Sequence, residues 1–371
     1  MKSGVKAWAM KLGGLVGGSA ILAAGGLASS GQAPDQSLVP VEAAATVRIM
    51  PLGDSNTAGA DSAQGGYRTD LWQLLAADGR EVDFVGSGSA GGPALPDKNH
   101  EGHGGWTIQQ IHDNVIGWLQ TQQPQVVLLQ IGTNDMYTDA STAGAPARMT
   151  ALLNRITSTA PDAEVIVTTL PPLADANHNR RVQAFNQLLP GLVGSLAGAG
   201  RNVRLTDTGS ALIQGDLIDP FHPGYGAVSR AAARWYTALT GIELTRYEAE
   251  QTSNATLVNA VRLGSNVSSS GGTKVGKIDF ADSSVTFTVQ AATAGPHRIR
   301  IRGGNGMTTV CSHNLSVNGG AATSVQYQPL GWENWTMVGV DLTLNAGPNT
   351  LKFTKGACFA EIDALYLSGP S

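Results

Sequence analysis

Three short stretches carry residue types that could act on an ester. Gly53-Asp54-Ser55-Asn56 follows an apolar run at 47–52, and Gly132-Thr133-Asn134-Asp135 follows another at 126–131. Asp219-Pro220-Phe221-His222-Pro223 precedes a helical pattern at 224–239. A serine hydroxyl is a weak nucleophile until a base takes its proton. His222 supplies an imidazole, the side chain suited to that transfer near neutral pH. Asp219, three residues earlier, can hold the other ring N–H and stabilise the cation that forms. Attack on a carbonyl makes an oxyanion, which needs donors fixed in advance: the Ser55 backbone N–H and the Asn134 side-chain amide. Thr57 stands where a G-x-S-x-G elbow has its second glycine, so this is a different arrangement. Each stretch alone reads as turn or helix-cap chemistry. Together and in the order Ser, Asp, His, they point to a serine hydrolase.

The elements that would position these groups follow two patterns. Over 47–241, apolar runs at 47–52, 82–85, 126–131, 165–170 and 203–205 alternate with helical spacings. Tyr67, Leu71, Leu74 and Leu75 mark one helix, and Ile108, Ile111, Val115 and Leu119 another. Further helices are expected at 147–158, 180–197 and 224–239. Five strands alternating with helices predict a parallel sheet covered on both faces, an α/β/α fold of three layers. In such a sheet, loops beyond the carboxyl ends of the strands meet at one edge, which brings Ser55 and Asn134 together and lets the loop with His222 reach them. After Thr245 the runs alternate at period two, separated by Gly, Asn and Ser turns, as in an all-β sandwich.

Composition narrows the classes. The chain has 371 residues, a net charge of −4 and 14% charged residues, against a more usual ~25%. A basic nucleic-acid surface is therefore not expected. An apolar share of 42% excludes global disorder, and two cysteines cannot build a disulfide scaffold. Lys2, Lys6 and Lys11 precede an uncharged apolar run at 12–28 and small residues at 29–33. That is the layout of a signal peptide, 1–33, with Ala43-Ala44-Ala45 as a later exit. A secreted, extracellular chain follows, with no membrane span, and export would permit a Cys311–Cys358 disulfide. The domains expected are 46–242 and 246–369.

His100-Glu101-Gly102-His103 is not the H-E-x-x-H zinc pattern, and Gly102, Gly104 and Gly105 disfavour a helix there. A loop lining the pocket is expected instead. Glu248 and Glu250, on one strand face, could join Asp363 as a calcium site of hard oxygens. Trp332 and Trp335 are candidate sugar-stacking residues.

The three blocks resemble those of the SGNH (GDSL-type) hydrolases. Gly66-Tyr67-Arg68, Val82-Asp83-Phe84-Val85-Gly86-Ser87 and the stretch 97–106 narrow the resemblance to carbohydrate esterase family 3, the acetyl xylan esterases. The resemblance spans roughly Arg48 to Thr240. It implies Ser55 as nucleophile, His222 as base and Asp219 as its orienter, with Gly105 joining Asn134 and Ser55 in the oxyanion hole and no cofactor for catalysis. Two positions depart, Phe221 and Thr133. Neither removes a catalytic group, and both would reshape the acyl or sugar pocket. From Tyr247 to Leu367 the chain is similar to carbohydrate-binding modules of the family 6/35 jelly-roll type, which implies a structural calcium and sugar-binding loops. The expectation is a monomeric, secreted esterase acting on acetylated plant polysaccharide such as xylan. The alternatives are an SGNH esterase or lipase on other short acyl esters, and a non-catalytic polysaccharide-binding protein.

Overall fold

A computed structural model describes residues 46–59, 64–264 and 268–368. The signal segment expected at 1–33, or as late as 45, lies outside the described residues.

The first part is built on a seven-stranded sheet of β1 (Val47–Gly53), β2 (Val82–Phe84), β3 (Gly88–Ser89), β4 (Asn99–Gly102), β5 (Val126–Gln130), β6 (Glu164–Thr168) and β7 (Val203–Thr206). The order is β3-β4-β1-β5-β6-β7. β2 pairs with the start of β1 and β4 with its end, so both occupy the same side of β1. Every pairing is parallel except β3 with β4. β5 is buried along its whole length, as its unbroken apolar run requires. Helices α1 (Ser55–Ala58), α2 (Tyr67–Ala77), α3 (Ile108–Gln122), α4 (Asp139–Thr159), α5 (Ala176–Gly198) and α6 (Tyr225–Thr240) fill the connections. Two results differ from expectation. β4 forms where the sequence predicts a loop, because its polar His100 and Glu101 are buried. α4 begins eight residues before the expected start at 147, capped by Thr138 and Ser141 and containing Pro146.

The second part is a sandwich of two antiparallel sheets, the jelly-roll-like fold expected. Its strands are β8 (Leu244–Glu248), β9 (Ala255–Val258), β10 (Val261–Leu263), β11 (Lys274–Gly276), β12 (Ser284–Ala291), β13 (Gly295–Gly304), β14 (Cys311–Val317), β15 (Thr323–Tyr327), β16 (Trp335–Leu344), β17 (Gly347–Lys355) and β18 (Glu361–Ser368). One sheet runs β10-β11-β18-β13-β16, with β8 also on β18, and the other β15-β14-β17-β12-β9. Phe287, Phe353 and Leu351 fill the space between them. A Cys311–Cys358 disulfide ties β14 to the loop before β18. β8 ends at Glu248, so Glu250 lies in a turn rather than on the strand.

No linker separates the parts. α6 ends at Gly241, whose φ of 72° suits a glycine cap, and β8 starts at Leu244. Residues Thr46–Ser371 form one compact unit. Leu71, Leu74 and Trp235 of the first part share a core with Trp335, Met337 and Tyr366 of the second. Beside that core, Arg302 pairs with Asp70 at 3.0 Å and Arg300 with Asp78 at 2.8 Å; Arg302, Asp70 and Arg300 are buried and Asp78 half-buried. Gln73 donates to Trp335 O at 2.9 Å and accepts from Met337 N–H.

Candidate active site

β1 leaves the sheet at Gly53, against β5. A Cβ there would lie 2.0 Å from Gln130 O and 2.4 Å from Thr57 Oγ1, so only glycine lets the chain turn this close. Asp54 caps α1, its Oδ1 accepting from Asn56 N–H at 3.0 Å, and Ser55 becomes the first helical residue. The strand order reverses at β1 and β5, which makes their carboxyl ends the place for a site.

Ser55 Oγ lies 2.8 Å from His222 Nε2, and His222 Nδ1 lies 2.8 Å from Asp219 Oδ2. Asp219 Oδ1 accepts from the N–H groups of Phe221 at 2.7 Å and His222 at 2.9 Å. Burial pushes the Asp219 carboxyl up, but the Phe221 N–H, the imidazole and the His222 N–H together outweigh it and hold it below its ordinary 3.8. The carboxylate is thus ready to fix the imidazole and balance its charge.

The expected oxyanion donors lie on two turns. Asn134 sits in the 3₁₀ turn Thr133–Met136 that follows β5. Its Nδ2 donates to Trp106 O at 2.9 Å, and its Oδ1 accepts from Tyr137 Oη at 3.0 Å. Gly105 has φ +78°, a conformation that turns the chain between β4 and α3. A Cβ on neighbouring Gly104 would be 4.0 Å from Ser55 Cβ, so this turn passes beside the nucleophile. The structure therefore joins Ser55, His222 and Asp219 by direct hydrogen bonds. Trp106 O links the Gly105 turn to Asn134.

The stretch 100–103 was expected to line the pocket, and its partners show how it is held. The buried Glu101 carboxylate accepts from Ser87 N–H at 2.8 Å, Ser87 Oγ at 2.6 Å and His103 Nε2 at 2.7 Å. His103 stacks on Trp106 at 4.3 Å and Trp118 at 4.6 Å. The His-Glu-Gly-His string thus holds the turn that presents Gly105. Arg68, fully buried, donates to the carbonyls of Thr57 at 2.9 Å, Ala58 at 2.9 Å, Ala90 at 2.7 Å and Lys98 at 3.2 Å. Burial lowers it to about 10, against the opposing pull of Tyr67 and Asp97. It pins the end of the nucleophile helix to the loop after β3. Tyr137 and Phe221 meet edge-on at 5.5 Å and line the approach to His222.

The candidates in the second part divide. Trp335 is 1% exposed, donates Nε1–H to Ser268 Oγ at 3.1 Å, and lies 5.0 Å from the Arg302 guanidinium. A sugar has no access to it, which corrects its reading as a stacking residue. Trp332 is 43% exposed and rests against Gly306. Glu248 and Glu250 approach one point: a Cβ on Gly271 would be 2.1 Å from Glu250 Oε1 and 3.2 Å from Glu248 Cδ. Glu250 Oε2 is buried with no donor. Burial and the Glu248 charge raise Glu250 to about 7. Asp363 is committed elsewhere, accepting from Ser270 N–H and from Arg302 Nη1 at 2.5 Å. Among the described residues, no group of three or more His, Cys, Asp or Glu is placed to hold a metal ion. Glu248 is also paired, its Oε1 with Arg246 Nε at 2.8 Å and its Oε2 with the Ser270 hydroxyl at 2.6 Å, so the expected set of Glu248, Glu250 and Asp363 is not assembled as a metal site.

The GDSL-like Lipase/Acylhydrolase family matches residues 52–226. A multidomain esterase of Ruminococcus flavefaciens is 31% identical over 227 residues, 54% of this chain. The chain spans only 29% of the length of that relative. A Clostridium thermocellum family 3 carbohydrate esterase is 34% identical, covering 52% of this chain and 94% of its own, with a TM-score of 0.47. A family 35 carbohydrate binding module from the same organism is 30% identical, covering 34% of this chain and 98% of its own, with a TM-score of 0.31. With its Ser-His-Asp relay intact, the chain belongs through residues 52–226 to the GDSL-like lipase/acylhydrolase (SGNH) family, and it continues into a β-rich part similar to a family 35 carbohydrate-binding module.

Proposed function

We propose that the chain is a secreted carbohydrate esterase that removes O-acetyl groups from plant cell-wall polysaccharide, with acetylated xylan as its substrate. The observation that carries the reading is the continuous relay from Ser55 Oγ to His222 at 2.8 Å and on to Asp219 at 2.8 Å. His222 Nε2 takes the Ser55 proton as Oγ attacks the acetyl carbonyl. The N–H groups of Ser55 and Gly105 and the Asn134 amide receive the oxyanion. His222 then returns the proton to the sugar oxygen, which leaves as the free hydroxyl, and Ser55 carries the acetyl group. A water molecule, deprotonated by His222, attacks this ester and releases acetate. The sugar side is supported by the 34% identity to a family 3 carbohydrate esterase.

Acetate release from acetylated xylan, and hydrolysis of short- and long-chain aryl esters, test this on the native protein and Ser55→Ala. Ser55→Ala should lower kcat by at least ~10⁴-fold. Activity that survives the substitution rejects the mechanism, and a preference for long acyl chains selects the lipase alternative. A protein that binds polymer yet releases no acetate is the non-catalytic alternative.

The second part would hold the enzyme on polymer and raise local substrate concentration, with the exposed Trp332 as the sugar platform. Trp332→Ala should then weaken retention on the polysaccharide without changing turnover of a short aryl ester. A structural calcium at Glu248 and Glu250 would neutralise chiefly Glu250, whose Oε2 has no donor, since Glu248 already pairs with Arg246. Chelator should lower the melting temperature by several degrees, on the scale of ~1–3 kcal/mol of linked binding, and Glu250→Gln should abolish the difference. Equal melting with and without chelator rules calcium out.

A further inference from the structure

Asp219 and His222 stand at the tip of a hairpin in which Leu217 bridges to Pro223 and Ile218 N–H donates to His222 O at 2.9 Å. Asp216 forms its base. The Asp216 carbonyl accepts from Gly224 N–H at 2.9 Å, and its carboxylate accepts from Ile213 N–H at 2.7 Å and from Arg230 Nη2. Arg230, on α6, ties three segments with one guanidinium. Besides Asp216, it donates Nε–H to Ala211 O at 2.9 Å and Nη1–H to Ser270 O at 2.7 Å.

Ser270 belongs to the second part of the chain, in the loop before β11. That loop is itself anchored. Ser270 N–H donates to both Asp363 oxygens, at 3.1 and 3.0 Å, and its hydroxyl donates to Glu248 Oε2 at 2.6 Å. The loop also presses on the first turn of α6, where a Cβ on Gly226 would lie 1.9 Å from Ser269 O. A cavity of about 270 Å³ remains between loop and hairpin, lined by Asp216, Leu217, Ile218, Arg230, Ser269 and Gly271. Space behind the hairpin means that packing alone does not hold it. The polar bridge through Arg230 spans the gap.

We propose that Arg230 is a positioning residue for His222 and that the Ser269-Ser270 loop of the second part is its anchor, so that turnover depends on a contact between the two parts. This deepens the esterase reading and rests on it. Arg230 touches neither substrate nor the reacting atoms. It sets where the hairpin tip lies, and a displacement near 1 Å at a catalytic group costs on the order of 10²-fold in rate.

Two kinds of substitution in the full-length protein test it, with a short-chain aryl ester as substrate. Arg230→Met removes all three hydrogen bonds, and Arg230→Lys keeps the charge and can restore some of them. Gly226→Ala leaves α6 a good helix former while forcing the Ser269 loop away. Each variant is assayed for kcat and KM per Ser55 able to react with a covalent organophosphonate, for the pH profile of kcat/KM, and for melting temperature. Arg230→Met and Gly226→Ala should lower kcat by about 10–100-fold with KM within about twofold, the pattern of lost transition-state geometry. The acid limb of the profile should move in Arg230→Met and return toward native in Arg230→Lys. Native kcat per reactive Ser55 in these variants overturns the proposal, as does a loss matched wholly by loss of folded protein. If Arg230→Met does not fold, Gly226→Ala decides alone. A native protein no more active than Ser55→Ala would instead overturn the esterase reading, so the two failures are distinct.

Discussion

Asn134 can serve an oxyanion only if its amide nitrogen, not its oxygen, faces the reacting carbonyl. Tyr137 decides this. Its hydroxyl donates to Asn134 Oδ1 at 3.0 Å, while Nδ2 spends one N–H on Trp106 O at 2.9 Å and keeps the other. Burial raises the Tyr137 phenol, and the charges of Asp54 and Asp219 raise it further, so the donor keeps its proton in alkaline solution. Tyr137→Phe should therefore lower kcat by roughly 10-fold, less than the ~10²–10³-fold expected of Asn134→Ala, with little change in KM. Steady-state kinetics check it, and an unchanged kcat would remove Tyr137 from the site. The meeting of Ser55, His222 and Asp219 was legible in the sequence because Ser55 stands at a strand end and Asp219 and His222 share one turn. Tyr137 was not, since an aromatic three residues along a helical turn reads equally well as packing. Trp332 and Trp335 were indistinguishable for a related reason: only the placement of α2 and Ser268 buries one and leaves the other exposed.

At the scale of elements, apolar periodicity announced β1, β2, β5, β6 and β7, and missed β4, the strand that leads into the Gly105 turn. β4 reads Asn-His-Glu-Gly, yet Glu101 is buried against Ser87 and His103, and His100 is buried with its Nδ1 accepting from Gly102 N–H at 3.0 Å. Such polar strands carry a pH cost. Burial lowers His100 on β4 to about 4, with the Arg68 charge adding to it, and burial lowers His313 on β14 to about 4. Both are ordinarily near 6.5, so between about 4 and 6.5 the folded chain binds fewer protons than the unfolded one. Each imidazole then withdraws stability as pH falls through that window, on the order of 1–2 kcal/mol at pH ~5. Glu250, raised to about 7, acts in the opposite sense, because its folded form holds a proton that the unfolded form releases. The test is therefore a difference. The gap in unfolding free energy between the native protein and His313→Gln should narrow on acidification from pH ~7 to ~5. A gap that stays constant means His313 is not protonated on unfolding.

For the whole molecule, two patterns joined at 241–246 without a Pro/Ser-rich linker imply two domains lying close together, and the seam between them is built from buried polar contacts. Arg302 of β13 is fully buried and bonds Asp70 of α2 at 3.0 Å, Asp363 of β18 at 2.5 Å and Ser268 O at 3.1 Å. Its guanidinium also lies 5.1 Å from the Tyr225 ring of α6. Sequence reading could not reach this, because each charge looked like one more solvated surface residue until its partner, some 230 positions away, was in place. Arg302→Met would strand two carboxylates in a dry interior, at a cost of ~3–5 kcal/mol. A module held only by a tether would pass none of that cost to the catalytic part. This seam would pass on most of it, since α2 carries Asp70 and Gln73 and is capped by Asp78, the partner of Arg300. Native protein should thus unfold in denaturant in one transition, with loss of esterase activity and change in far-ultraviolet circular dichroism superimposed. Arg302→Met should shift the activity transition to lower denaturant, although residue 302 lies far along the chain from Ser55. Two separated transitions in the native protein, or an activity transition untouched by Arg302→Met, would show that the parts fold independently and that the seam is contact without coupling.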